Sequence, residues 1–167
     1  MKVMSVQVLV CFLIVGLSVT LAFLIETVNN YDDPMDFSCQ GNKTLRHLSS
    51  HHSNHHEDRV WSMGCYDAVA MVHNCQWTGY VNDFDQPFDF ECPGEGFING
   101  VRSIHDNGHE DRRWAFQCCT MQGRIRQDCQ DTGFVNSYDG GLSVTTDHNN
   151  KNFHGWISIH DNDHEYA

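Results

Sequence analysis

The feature that most constrains the fold is an internal repeat with a spacing of 53 to 54 residues. Residues 28–39 align without a gap on residues 81–92, and a third copy begins at residues 132–139. Repeats of this length are typical of chains built from several copies of one supersecondary unit. A single unit of about 53 residues buries too little apolar surface to be stable alone. We therefore expect one compact domain with pseudo-threefold symmetry.

The second halves of the repeats also match. Residues 54–61 correspond to residues 107–114, and both segments end in the motif D-R-x-W. Residues 103–110 recur as residues 158–165, where the sequence stops before a third D-R-x-W. The third repeat is therefore expected to be truncated at its C-terminus. The expected repeats span approximately residues 28–75, 81–129 and 135–167.

The N-terminus has the layout of a secretory signal. Lys2 precedes an apolar run over residues 3–25, with small residues near Ala22. This arrangement predicts a signal peptide over residues 1–22 and a mature domain over residues 23–167. Cleavage after Ser18 and an uncleaved membrane anchor are the alternatives. No other segment is apolar enough to cross a membrane, so we expect a secreted protein.

Alternation of apolar and polar residues predicts β-strands. A period of two places each aromatic residue and its neighbouring cysteine on one buried face. The apolar members of four such segments are Met35, Phe37 and Cys39; Trp61, Met63 and Cys65; Phe88, Phe90 and Cys92; and Trp114, Phe116 and Cys118. Segments rich in Gly, Asn and Asp supply the turns. We expect an all-β domain whose one helical segment is short, at residues 66–73.

The cysteines indicate an oxidising compartment. One of the eight, Cys11, lies in the predicted signal peptide. The other seven are Cys39, Cys65, Cys75, Cys92, Cys118, Cys119 and Cys129. None of their spacings is typical of a zinc site, and their density predicts a disulfide framework. The same-face strands predict a Cys39–Cys65 bridge and a bridge from Cys92 to either Cys118 or Cys119.

The formal net charge is −12. An acidic surface disfavours nucleic acids and anionic membranes as partners. It is compatible with calcium or cationic partners, although solubility alone also explains it. We predict no cofactor.

Two segments carry a resemblance to a known family. The sequences FDFECPGEGFINGVRSIHDNGHEDRRWAFQCC, at residues 88–119, and HSNHHEDRVWSMGC, at residues 52–65, resemble the dermatopontin family. The match extends over residues 28–165 and rests on a long composite repeat. Departures from the family pattern include Gln40 where the second repeat has Pro93.

The resemblance implies functions and a pairing. Family members are secreted; some organise matrix and bind collagen or small proteoglycans, and invertebrate members include haemagglutinins, cell-aggregation factors and shell-matrix proteins. The resemblance also implies a Cys92–Cys119 bridge and a Cys75–Cys118 bridge. Cys129 is then left as a free thiol or as half of an intermolecular bridge.

The repeated D-R-x-W motif supplies candidate site residues. They are Asp58, Arg59 and Trp61 in the first repeat, and Asp111, Arg112 and Trp114 in the second. A carboxylate and a guanidinium can orient a turn through paired hydrogen bonds while the tryptophan anchors the core. We favour this structural role, with surface ligand contact as the alternative.

Two further sites depend on local sequence. The imidazoles of a histidine-rich run suit zinc, copper or nickel, but such runs also bind metal adventitiously. They belong to His51, His52, His55 and His56. Asn42 opens an N-x-T sequon and is a predicted glycosylation site.

No catalytic motif is present, and we predict that the chain is not an enzyme. The preferred function is matrix organisation, such as collagen fibril organisation, or cell–matrix adhesion. The alternatives are a carbohydrate-binding agglutinin in innate defence and a shell or biomineral matrix protein. The expected partners are matrix proteins, proteoglycans or cell-surface glycans, with a homodimer as a further possibility.

Overall fold

The computed structural model describes residues 25–146 and 151–160, in which the chain forms ten β-strands. The strands are β1 Ile25–Thr27, β2 Met35–Ser38, β3 Lys43–Ser53, β4 Asp58–Asp67, β5 Val72–Trp77, β6 Phe88–Glu91, β7 Phe97–Asp106, β8 Asp111–Met121, β9 Leu142–Thr145 and β10 Gly155–Ser158. The described residues contain no helix. The all-β prediction is therefore confirmed. The predicted signal peptide, residues 1–22, lies outside the described residues.

The short helix predicted at residues 66–73 is wrong. Asp67 ends β4 and Val72 begins β5, which pairs with β8. The exposed Asn42 holds the connection extended, because its carbonyl accepts the Ala68 N–H at 2.9 Å and its Oδ1 accepts the Val72 N–H at 2.9 Å. Tertiary hydrogen bonds thus override a local preference for helix.

The described strands form three antiparallel sheets. Their strand orders are β1-β4-β3-β9, β2-β7-β8-β5 and β6-β10. Two long hairpins, β3–β4 and β7–β8, dominate the first two sheets. Their registers pair Ser53 with Asp58 and Asp106 with Asp111, so residues 54–57 and 107–110 form the two turns.

Each short strand completes a sheet that belongs to the next repeat. Strand β2 of the first repeat pairs with β7 of the second, β6 of the second pairs with β10 of the third, and β9 of the third pairs with β3 of the first. This exchange closes a ring of three repeats. The ring has the order that a pseudo-threefold arrangement requires, and the symmetry itself stays a prediction.

Three tryptophans meet where the repeats converge. The ring centroids of Trp61, Trp114 and Trp156 lie 5.3 Å apart in each pair. Trp61 and Trp114 are each only 6% exposed. Trp156 comes from β10, not from a D-R-x-W motif. Aromatic residues contribute large buried areas, and this cluster holds the Asp and Arg residues of both motifs beside the boundaries between repeats.

The structure joins Cys39 to Cys65, Cys92 to Cys118, and Cys75 to Cys119. The assignments of Cys92 to Cys119 and of Cys75 to Cys118 are therefore wrong. Adjacent residues of a strand point to opposite faces. Cys118 packs with Cys92 in the main core, whereas Cys119 packs in a second cluster beside β5.

Candidate functional site at the junctions between repeats

An asparagine in each of the first two repeats ties a loop to the D-R-x-W strand. Asn29 Oδ1 accepts the Trp61 N–H at 2.8 Å, and its amide donates to the Arg59 carbonyl at 2.9 Å. In the second repeat Asn82 Oδ1 accepts the Trp114 N–H at 2.8 Å and its amide makes the matching bond. The sequence analysis missed these residues, although the recurring Val-Asn pair was a usable signal.

The same loops carry an aspartate in the left-handed region. Asp32, Asp85 and Asp139 have φ values of 63°, 59° and 40°, and occupy equivalent repeat positions. The Asp32 N–H donates to Asp58 Oδ2 at 2.8 Å, and the Asp85 N–H donates to Asp111 Oδ2 at 2.9 Å. Each loop therefore delivers a second carboxylate to the first residue of D-R-x-W.

At the first junction, between repeats one and two, Asp58 binds an arginine of the other repeat. Arg112 Nε and Nη2 donate to the two Asp58 oxygens, each at 2.6 Å. Arg112 also donates to the Asp33 carbonyl at 3.1 Å and to Ser103 Oγ at 3.4 Å. The two charged side chains are 2% and 5% exposed. The motif was expected to pair within one turn, whereas the structure pairs it across repeats.

Burial and Arg112 act in opposite directions on Asp58. Burial raises the pKa of Asp58, but the Arg112 hydrogen bonds and charge, helped by backbone N–H groups, bring the pKa below its ordinary value. Asp58 is therefore a fully ionised, compensated group at neutral pH.

Asp111 occupies the equivalent position at the second junction, between repeats two and three. Its Oδ1 lies 3.5 Å from His160 Nδ1, and no arginine within the described segments forms an ion pair with it. Burial raises the pKa of Asp111. The same residue of the motif therefore has the opposite pKa shift in the two repeats.

Arg59 lies at the third junction, between repeats three and one. It donates to Ser50 Oγ at 3.3 Å and to the Gly140 carbonyl at 2.9 Å. These acceptors match the serine and the carbonyl that hold Arg112. Burial lowers the pKa of Arg59, and the charges of Asp139 and Asp58 oppose that shift.

A polar cleft opens between the hairpin turns at the first junction. Its cavity volume is about 180 Å³, and its walls are Asp32, His55, His56, Glu57, His105, Asn107 and Glu110. The side chain of His105 is 1% exposed; its Nδ1 lies 2.9 Å from Asn107 Oδ1 and 3.6 Å from Asp32 Oδ1. We name this feature the junction cleft. Its carboxylates, imidazoles and amide suit a polar or cationic ligand.

Aromatic stacking shapes the edge of the cleft. Tyr31 stacks on His56 with ring centroids 4.4 Å apart. The second junction repeats this contact, because Phe84 stacks on His109 at 4.9 Å. His160 there lies 3.5 Å from Asp85, as His105 lies beside Asp32. Residues 161–165, which would face these groups, lie outside the described residues.

The histidine-rich run is divided between junctions. His51 packs edge-on against Tyr31, and His52 Nε2 lies 3.7 Å from Glu57 and 3.5 Å from Asp139. His55 and His56 line the junction cleft instead. Within the described segments these four residues form no group of metal ligands. Metal binding by the run stays a prediction.

Two other groups have atoms close enough to hold a metal ion. They are Asp32, Asp58 and His105, and Asp85, Asp111 and His160, with ligand atoms within 4.8 Å of one another. In the first group the Arg112 guanidinium already neutralises Asp58. The second group therefore offers the carboxylates with fewer cationic contacts, and sequence reasoning found neither group.

These observations define a disulfide-bonded all-β repeat protein whose polar sites lie between repeats. The chain belongs to the dermatopontin family, because the Dermatopontin family model matches residues 29–166. Over 150 residues it is 41% identical to the "Hemagglutinin/amebocyte aggregation factor" of Limulus polyphemus, covering 87% of this chain and 85% of that protein.

Two other relatives have been compared. "Dermatopontin" of Biomphalaria glabrata is 35% identical over 115 residues, covering 69% of this chain and 77% of that protein. "Millepora cytotoxin-1" of Millepora dichotoma is 36% identical over 119 residues, covering 71% of this chain and 53% of that protein. No solved structure matches the chain significantly. Within the described segments, no helix has the length and apolar character needed to cross a membrane.

Proposed function

We propose that the chain is a secreted, non-enzymatic adhesion protein that organises extracellular matrix or attaches cells to it. The observation that carries this proposal is the recurrence of the junction architecture: an aspartate loop, a stacked aromatic and a histidine occur at two successive junctions. Two sites on one rigid body allow bridging, since the second binding event becomes effectively intramolecular. Family membership supports this choice over an enzyme.

A carbohydrate-binding agglutinin is the second candidate. Its support is the identity to a protein named as a haemagglutinin and aggregation factor, together with the aromatic, amide and carboxylate groups of the junction cleft. A shell or biomineral matrix role has only the acidic composition in its favour.

Ligand binding by the cleft separates these functions. We would measure binding of the disulfide-intact chain to fibrillar collagen and, separately, agglutination of red cells with and without free sugars. Asn107→Ala and Glu110→Gln alter the cleft wall, and Asp89→Asn, an exposed residue of β6, is the control.

The matrix function predicts collagen binding that sugars leave unchanged and that both cleft variants weaken. Sugar-inhibited agglutination lost in the same variants would identify the agglutinin instead. Full activity of both cleft variants in both assays would contradict a role for the cleft.

Asn42 and Cys129 extend the proposal to modification and assembly. Asn42 is exposed, so we expect an N-linked glycan that an amidase removes with a visible mass shift. Cys129 is exposed and unbridged, and we expect it to form an intermolecular disulfide. Non-reducing gels of the chain and of Cys129→Ser test this, and a monomer in both would mean that the thiol stays reduced.

A further inference from the structure

The three junctions contain three equivalent sets of acceptors for a guanidinium group. At the first, Arg112 binds the Asp58 carboxylate, Ser103 Oγ and the Asp33 carbonyl. At the third, Arg59 binds Ser50 Oγ and the Gly140 carbonyl.

The second junction has the same acceptors without an arginine on its carboxylate. Strand register identifies them: Ser103 pairs with Met35 at the start of β2, and Ser158 pairs with Phe88 at the start of β6. The carbonyl follows the left-handed aspartate in each loop, so Gln86 after Asp85 corresponds to Asp33. The carboxylate is Asp111, which is 14% exposed.

The edge of β10 beside this acceptor set lacks a strand. Strand β7 pairs with β2 and β8, and β3 pairs with β9 and β4, but β10 pairs only with β6 among the described strands. The strands β4 and β8 that fill the matching edges begin with Asp-Arg. A strand added to β10 in this manner would place its own Asp-Arg at the junction.

We propose that the second junction docks an extended Asp-Arg segment of a partner protein, which pairs with β10 and places its guanidinium on Asp111, Ser158 and Gln86. Addition of a strand to an open sheet edge is a recurrent mode of peptide recognition. The aspartate of the same segment would reach Arg59, just as Asp58 reaches Arg112 in the neighbouring repeat.

Charge complementarity favours this occupant over other cations. Burial raises the pKa of Asp111 and lowers that of Arg59, so each gains when an opposite charge replaces water. Arginine matches a carboxylate with two parallel donors, whereas lysine is a point charge. No arginine occurs in residues 1–24, 147–150 or 161–167.

A second folded copy cannot supply the segment. Each of its two Asp-Arg pairs contributes one residue to the buried Asp58–Arg112 contact. Releasing either pair would leave a buried charge without its partner, at a cost of about 3 to 5 kcal/mol.

The probe is a labelled peptide with the sequence of residues 57–63, EDRVWSM, in which Asp and Arg are adjacent. Its binding to the disulfide-intact chain would be measured by fluorescence anisotropy at physiological salt. A peptide of equal charge with lysine in place of arginine is expected to bind at least about tenfold more weakly. Asp111→Asn is expected to weaken the arginine peptide by at least about tenfold.

Controls separate this contact from general attraction to an acidic chain. Asp89→Asn removes the same charge from β6, the strand already paired with β10, and should leave binding unchanged. Amide hydrogen exchange over residues 155–158 should slow when the arginine peptide binds, which a loose electrostatic complex would not produce. Near-ultraviolet circular dichroism checks that each variant is folded.

Equal binding of the arginine and lysine peptides would overturn the proposal, as would full binding by folded Asp111→Asn. These outcomes are independent of the adhesive function, whose test uses the first junction and different ligands.

Discussion

The first and second junctions contain the same sequence elements in opposite electrostatic states. At the first, the carboxylate of Asp58 is held by Arg112 through two bonds of 2.6 Å. At the second, the equivalent Asp111 is also buried but has only His160 nearby, at 3.5 Å. A residue in a repeat therefore acquires its chemistry from the neighbouring repeat that contacts it.

Breaking the first junction should have the largest effect. Arg112→Met leaves the Asp58 carboxylate buried and unpaired, so we expect a loss of about 3 to 5 kcal/mol in the free energy of unfolding. The matched variant Arg59→Met removes bonds only to a hydroxyl and a carbonyl, with an expected loss of about 1 kcal/mol. Urea unfolding of both disulfide-intact variants measures the difference, and equal losses would contradict the distinction between the junctions.

Removal of one disulfide tests whether the repeats are equivalent in stability. The bridges Cys39–Cys65 and Cys92–Cys118 each close 26 residues. Replacing either pair with alanine should cost about 3 kcal/mol, because loop-closure entropy depends on loop length. Unfolding of the two double variants checks this, and peptide mapping of the intact chain should recover Cys75 linked to Cys119.

Acid should affect the two junctions in opposite directions. The pKa of Asp58 is lowered from 3.8, so its stabilising contribution is present above pH 3.8 and is lost as pH falls through the lower folded value. The pKa of Asp111 is raised from 3.8, so its burial penalty disappears as pH falls through the higher folded value.

Asparagine variants isolate these two contributions. At neutral pH Asp58→Asn should destabilise the chain, whereas Asp111→Asn should leave stability unchanged or raise it by about 1 kcal/mol. The stability difference between wild type and Asp111→Asn should shrink as pH is lowered towards 3.8. A destabilised Asp111→Asn at neutral pH would contradict the burial penalty.

The smallest effect concerns two histidines in different surroundings. Hydrogen bonding to Asp106 at the second hairpin turn raises the pKa of His109, and burial lowers the pKa of His47 in β3. Imidazole proton shifts followed by NMR should therefore give midpoints above 6.5 for His109 and below 6.5 for His47. Asp106→Asn should bring His109 back towards 6.5 and leave His47 unchanged; coincident midpoints would contradict both assignments.

Sequence reasoning succeeded where the pattern is local or recurs. Alternation predicted the strands that contain Trp61 and Trp114, and it placed Cys118 on the same face as Trp114. The resemblance-based pairing overrode that register and was wrong, because Cys119 points to the opposite face. The helix at residues 66–73 failed because long-range bonds to Asn42 decide its conformation.

The sequence by itself determined the all-β class, the repeat and the residue types at each junction, because these depend on periodicity and on recurrence along the chain. Only the tertiary structure decided that Asp58 pairs with Arg112 and that Asp111 lies beside His160. It also decided that the histidine-rich run divides between two junctions. The physical reason is the exchange of short strands around the ring: it brings together residues 54 positions apart, such as Asp58 and Arg112, whose contacts no local pattern encodes.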